Sequence, residues 1–337
     1  MSIFKISTLS FLLFSCSLHT YLKIYMPFVK PFAELRKTDA AIAGGKGASL
    51  GEMMSAGISV PPGFVVTAQA FDRFLLETKL AADVHAELQK VNHDDVSSVE
   101  HASETLHALI TGAEMPADIA EEIMVAHTSL GAEFVAVRSS ATAEDSSSAS
   151  WAGELESYLN TKRDQVLANV KRCWASLFTP RAIVYRQEKN MKDVHVSVAV
   201  VIQKMVQSEV AGITFTVHPV TRDYNQMIIE ACYGLGELIV GGMVTPDGYV
   251  IDKRDGTHLD LSVSEQEEML VRGSNGNQRV PVPANKKAAQ KLTPAQISEL
   301  MEICRKIEAH YGFPCDIEWG MEAGTFYIVQ SRPITTL

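Results

Sequence analysis

Residues 293–331 admit few folds. Thr293-Pro294-Ala295-Gln296 is a capping box with proline at the first helical position, so a helix must begin here. Ile297, Leu300, Met301, Cys304 and Ile307 recur at helical spacing as one apolar stripe, and Gly312 predicts its end. Two strands follow, Asp316–Met321 and Thr325–Ser331, joined at Gly324. Upstream, Val194 to Val206 alternates with period two and sets Val196, Val198, Val200 and Ile202 on one face of a strand.

The remaining elements divide unevenly. Helical signals dominate the first half. Lys46–Ala56 is closed by Gly57, Thr67 caps a helix through Phe71, Phe74 and Leu75, and Pro116–Leu130 is followed by Gly131. Asn160-Thr161 opens a further helical region through Val166, Val170, Trp174 and Phe178, interrupted near Pro180. Strands are expected at Glu133–Arg138, Met227–Ala231 and Tyr249–Asp252. Val244-Thr245-Pro246-Asp247 reads as a turn, and Lys286–Lys291, behind Pro281 and Pro283, as an exposed charged connection. The expected class is α+β, a helix-rich lobe over 26–195 followed by a mixed-sheet lobe over 196–337.

Composition narrows the function. With 46% hydrophobic residues in 337, a packed core is available and global disorder is excluded. Thirty Lys+Arg against forty Asp+Glu give a net charge of −10, which speaks against a general nucleic-acid surface but not against a local phosphate site. The cysteines (16, 173, 232, 304 and 315) are odd in number, scattered and without a C-x-x-C pair, so neither a disulfide framework nor a zinc site is expected and a reducing cytoplasm is the natural setting. Residues 1–25 resemble a secretory signal, with an apolar stretch from Ile6 to Phe14 that is too short to span a bilayer. The expectation is a start at Met26, with 1–25 a non-native extension.

Several motifs carry chemistry. Gly44-Gly45-Lys46-Gly47 at a helix start offers close-approaching N–H groups and a cation to an anion; it is not a P-loop, and a plain glycine turn is the alternative. Arg138, followed by Ser139-Ser140-Ala141-Thr142 and Glu144-Asp145, supplies a planar phosphate fork, short hydroxyl donors and a small-residue segment able to act as a lid, or simply a surface loop. Gln203-Lys204-Met205-Val206 ends a strand with backbone polar groups beside apolar side chains, which suits an adenine ring, and Glu209 suits ribose hydroxyls. Asp316 and Glu318 share one face of a strand, as do Gln330 and Arg332 on the next; carboxylates in that pairing fit Mg²⁺, and the amide and guanidinium fit the phosphates it bridges. Glu230 to Glu237 leads a strand into a glycine turn and offers either another carboxylate or a tight βα connection.

Together, GGKGASLGEM (44–53), VPPGFVVTAQAF (60–71), AVRSSATAEDSSSASWAGELESYLN (136–160), VIQKMVQSEVAGITFTVHP (201–219), IEACYGLGE (229–237), VTPD (244–247) and DIEWG…YIVQSRPIT (316–335) resemble the N-terminal nucleotide-binding domain of the phosphoenolpyruvate synthase and pyruvate phosphate dikinase family, which also includes the rifamycin phosphotransferases. The resemblance spans nearly all of 26–337. It implies an ATP-grasp-like fold of two subdomains with ATP and Mg²⁺ between them. By motif match it implies Lys46 and Arg138 at the phosphates, Gln203, Met205 and Val206 at adenine, and Glu209 at ribose. It also implies Glu318 with Asp316 at the metal, and Gln330 and Arg332 at the phosphates. His218, where Asp or Asn is expected, and Ser146-Ser147-Ser148 in place of Leu-Pro depart from the pattern. None of the ten histidines stands in the family's Thr-Ser-His-Ala context, so the resemblance implies a phosphohistidine swivel domain and an acceptor-binding domain on another chain. The acceptor, pyruvate or an antibiotic hydroxyl, stays open, as does a non-catalytic ATP-binding fragment.

Overall fold

The computed structural model describes residues 27–142, 156–189, 196–274, 276–335 and 337, with the backbone alone at 145–146 and 149–150. The signal-like segment, the start at Met26 and the side chains of 143–155, on which part of the expected lid and the Ser146–Ser148 departure fall, lie outside it.

Two antiparallel sheets form the framework. The first contains β1 (Val29–Pro31), β2 (Gly63–Val66), β3 (Val135–Ala141), β4 (Ser157–Thr161) and β5 (Val198–Lys204), in the order β1-β2-β5-β3-β4. The second contains β6 (Val210–Phe215), β7 (Gln226–Tyr233), β8 (Asp247–Asp252), β9 (His258–Ser262), β12 (Cys315–Glu322) and β13 (Thr325–Pro333), in the order β9-β8-β7-β6-β12-β13. A separate hairpin pairs β10 (Glu268–Gly273) with β11 (Gly276–Pro281).

Helices cover both sheets. α1 (Ala40–Ser55) is followed in the first lobe by α2 (Ala68–Glu77), α3 (Leu80–Gln89), α4 (Val96–Gly112), α5 (Ala117–Leu130), α6 (Val166–Ala175) and α7 (Pro180–Glu188). The second lobe adds only the short α8 (Glu237–Val240) and α9 (Pro294–Tyr311). The outline is α+β with most helix in the first lobe.

β5 explains how the lobes join. Its alternation predicts one apolar face, yet both faces are buried. Val198, Val200 and Ile202 pack with Phe71, Phe74 and Trp174 beneath the first-lobe helices. Ala199 and Val201 pack with Leu50 and Met53 of α1 in a core that continues to Ile317, Trp319 and Ile328 of the second sheet. A strand central in its sheet and covered twice is an inner element of the first lobe. β5 thus pairs on both sides within the first sheet, and the division expected at 195 falls in the undescribed 190–195.

Three local expectations are corrected. Asn160-Thr161 ends strand β4, and the helix begins only at Val166. Asp247 is the first residue of β8, fully buried, and its carboxylate holds Lys291 Nζ at 2.8 Å with neither side chain exposed. The end of the Lys286–Lys291 run is thus interior, while Lys286 is exposed. Elsewhere the capping box holds as written: Thr293 Oγ1 accepts from the Gln296 N–H at 3.3 Å, and Gly312 closes α9 at φ 77°. His218, where Asp or Asn is expected, turns the chain through its Nδ1, which accepts from the N–H groups of Val220 and Thr221, each at 3.3 Å. Cys173, Cys232, Cys304 and Cys315 are all buried free thiols, and burial pushes each up to about 12.

Candidate functional site

A cleft of about 480 Å³ lies between the sheets, and eight of the expected residues line it: Lys46, Arg138, Gln203, Met205, Val206, Glu318, Gln330 and Arg332. They come from α1, β3, the end of β5 and the β12–β13 pair. Asp316 and Glu209 are outside the lining.

Lys46 owes its place to backbone geometry. Gly44 sits at φ 67°, ψ 173°, a kink from which the second part of α1 starts. A Cβ there would lie 2.3 Å from the carbonyl oxygen of Ser140 on β3, so only glycine permits the approach. Ser140 Oγ accepts from the Gly47 N–H at 3.3 Å and donates to the Ala43 carbonyl at 2.9 Å. The glycine turn is thereby riveted to the strand carrying Arg138. Gly47 and Ser140 are buried in this joint rather than presented to a ligand, and Ser139 likewise spends its hydroxyl on Glu156 O and Ser176 Oγ, both at 2.9 Å. Of the described polar groups in these two motifs, Lys46 and Arg138 line the cleft.

A β-bulge aims the opposite wall. On β12–β13, Asp316 faces Arg332 and Glu318 faces Gln330, but Trp319 faces Ile328, which leaves Val329 as the extra residue. The Val329 carbonyl, released from the ladder, accepts from Arg138 Nη1 at 2.7 Å. Arg138 Nη2 donates to Gln330 Oε1 at 2.7 Å and lies 3.3 Å from Glu318 Oε2. One guanidinium from the first sheet therefore joins the carboxylate, the amide and the bulge carbonyl of the second.

Asp316 is buried on the same face, its Oδ2 holding Arg332 Nε at 2.8 Å while Oδ1 is buried without a hydrogen bond. Burial raises the Asp316 pKa above the ordinary carboxyl range, Arg332 opposes that, and nearby Glu318 adds to it. Glu230 lies in register with Glu318 across β6 and is raised too, by burial first and by Asp316 second.

The other end of the cleft is apolar. A Cβ on Gly320, two residues along β12 from Glu318, would lie 3.4 Å from Val206 Cγ1. Met205 packs with Leu235, Leu238 and Leu270, and Leu235, Gly236, Glu237 and Val240 complete that wall. Glu237 is the carboxylate here: its Oε2 accepts from Asn277 Nδ2 at 2.8 Å. Glu209 is exposed, and its backbone ties Met321 O (2.9 Å) and the Gly234 N–H (3.0 Å) together. Asn277 and Asn160 gave no signal in the sequence, because single asparagines in polar hairpin and strand ends look like solvent-facing residues. Among the described residues, no group of three or more His, Cys, Asp or Glu converges to hold a metal, and no helix is long and apolar enough to cross a membrane.

The two sheets face each other across a cleft lined by Lys46, Arg138 and Arg332 with Glu318 and Gln330, and by Met205, Val206, Leu235 and Val240. The chain belongs to the pyruvate phosphate dikinase, AMP/ATP-binding domain family, whose model matches residues 40–337. It is 44% identical over 320 residues to the probable phosphoenolpyruvate synthase of Methanocaldococcus jannaschii, covering 93% of this chain and 27% of that protein. It is 40% identical over 358 residues to the phosphoenolpyruvate synthase of Pyrococcus furiosus (92% of this chain, 44% of that one). It is 39% identical over 313 residues to the rifampicin phosphotransferase of Bacillus cereus (92% and 36%). The chain thus spans less than half the length of each of these relatives.

Proposed function

We propose that the cleft binds Mg·ATP and that the domain hands a phosphoryl group to a histidine on a separate domain, as part of a phosphoenolpyruvate synthase-like phosphotransferase with an ATP-grasp-like fold. The observation that carries this reading is the junction of Arg138 with Glu318 and Gln330 inside a cleft that also holds Lys46 and Arg332. In this reading the triphosphate lies along Lys46, Arg138 and Arg332, and the adenine lies against Met205 and Val206 with Gln203 beside it. Glu237, in the cleft where Glu209 is not, faces the sugar.

The residues fit a magnesium ion. Glu318 and Gln330 present two oxygens side by side, and Asp316 keeps a buried, unpartnered Oδ1 on the same face. Mg²⁺ takes one or two carboxylates and draws its remaining ligands from phosphate and water, so a sparse protein set suffices. When bound it supplies neutralising charge to the phosphate oxygens. The chain's own side chains orient the triphosphate, and their positive charge stabilises the transferring group; positioning and electrostatics are what phosphoryl transfer chiefly asks of a protein.

Transfer from labelled ATP to a separately supplied histidine-bearing swivel domain tests the reading. Label on that histidine is expected; Mg·ATP binding without any transfer would leave a nucleotide-binding fragment. The same label passed on to a rifamycin hydroxyl would favour the second reading, which the 39% identity to a rifampicin phosphotransferase keeps open.

A further inference from the structure

The β10–β11 hairpin belongs to neither sheet, yet it touches both lobes. At its base, Leu235 N–H donates to Leu270 O at 2.8 Å, and Gly234, at φ 86°, lies so close that a Cβ would stand 2.4 Å from that oxygen. This seats the hairpin on the glycine turn that carries Glu237 and Val240 into the cleft. Toward its tip it crosses to the first lobe in three places. Asn277 Oδ1 accepts from Asn160 Nδ2 at 2.6 Å, Ser274 O accepts from Lys162 Nζ at 3.4 Å, and the Arg272 guanidinium lies 4.4 Å from the centre of the Phe134 ring.

The polar contacts form one chain. Gln207 Nε2 donates to Asn160 Oδ1 at 2.8 Å, Asn160 donates to Asn277, and Asn277 donates to Glu237. Asn160 and Asn277 each donate and accept, so the order of donors fixes the direction in which both amides point. Asn160 is 4% exposed and held at φ 50°, a left-handed conformation that asparagine tolerates better than most residues. The chain of bonds therefore runs from Gln207, past the end of β5, through Asn160 of the first lobe to a carboxylate that lines the cleft in the second.

We infer that Asn277 is a positioning residue for the bound nucleotide: through it the hairpin straps the two lobes together over the apolar end of the cleft and aims Glu237 into it. The inference rests on the nucleotide reading above. The strap sets how long the nucleotide stays rather than how it arrives.

Stopped-flow dissociation of a fluorescent ATP analogue with Mg²⁺, on the full chain, tests it. Asn277→Ala is expected to speed release about 3- to 10-fold, the equivalent of about 1 kcal/mol, with association nearly unchanged and the melting temperature lowered by no more than a few degrees. Asn160→Ala should speed release likewise, at a lower melting temperature because alanine is strained at φ 50°, and the double variant should release little faster than either, since the two act as one pair. Asn277→Asp places a carboxylate against Glu237, so its release rate should fall back toward wild type as pH is lowered and one of the two protonates. Unchanged release in folded Asn277→Ala, or a pH-independent Asn277→Asp, overturns the strap. A wild-type chain that binds no nucleotide overturns the site reading and the strap with it.

Discussion

Arg138 on β3 and Gln330 on β13 meet at 2.7 Å, and this bond crosses from the first sheet to the second. The same guanidinium reaches Val329 O only because a bulge frees that carbonyl. One side chain therefore links the geometry of the site to the joining of the lobes, beside the core that Leu50 and Met53 share with Ile317 and Trp319.

Replacing that side chain should affect both. Arg138→Ala removes hydrogen bonds to a carbonyl, an amide and a carboxylate, and leaves Glu318 half-buried without its cation. The expected cost is about 2 kcal/mol, the range for bonds involving charged groups, read as a lower denaturation midpoint in urea. Arg138→Lys should recover little, because an ammonium cannot reproduce the fork that holds Val329 and Gln330 together. A Lys variant as stable as wild type would show that charge alone suffices.

The Asp247–Lys291 pair makes a sharper stability test. Both side chains are fully buried, and Lys291 Nζ also donates to Ser264 O. Lys291→Ala strands a buried carboxylate and should cost about 3–5 kcal/mol, whereas Lys286→Ala, on the exposed part of the same run, should stay within about 0.5 kcal/mol. Equal urea midpoints for the two variants would contradict the burial described.

That contrast also marks where sequence reading stops. Helix α9 was legible because its box, stripe and closing glycine are all local, and β12–β13 because alternation separates Ile317 from Asp316 and Glu318. The Lys291 burial was not, since its partner is 44 residues away and a lysine-rich run behind prolines looks solvated. Strand β9 alternates, with Leu259 and Leu261 between polar residues, yet His258–Ser262 is exposed throughout, while β10 and β11 show no apolar alternation and GNQRVP is polar. Cleft membership was legible residue type by residue type. Glu209 and Glu237 are indistinguishable as strand-end carboxylates until the fold puts only the second in the cleft.

Glu230 carries a pH signature. Burial and the nearby Asp316 hold its pKa above the ordinary carboxyl value, so ionisation works against the folded state. Such a group's contribution is fully present below the unfolded pKa and is lost as pH rises through the folded one. Glu230→Gln should therefore melt above wild type at about pH 7, and the difference should vanish below about pH 4, where both states are protonated. A difference independent of pH would assign the effect to packing.

The central claim is that Lys46 and Arg138 hold the phosphates of Mg·ATP in the inter-sheet cleft. Titration calorimetry of Mg·ATP into the wild-type chain and Lys46→Ala tests it most directly. The account predicts saturable, magnesium-dependent binding to wild type. It predicts a Kd about 10- to 100-fold weaker in the variant, from about 1.5–3 kcal/mol for one charge-assisted contact, with the melting temperature of the unliganded protein preserved. Equal affinity in the two proteins, or no binding to wild type, would contradict it.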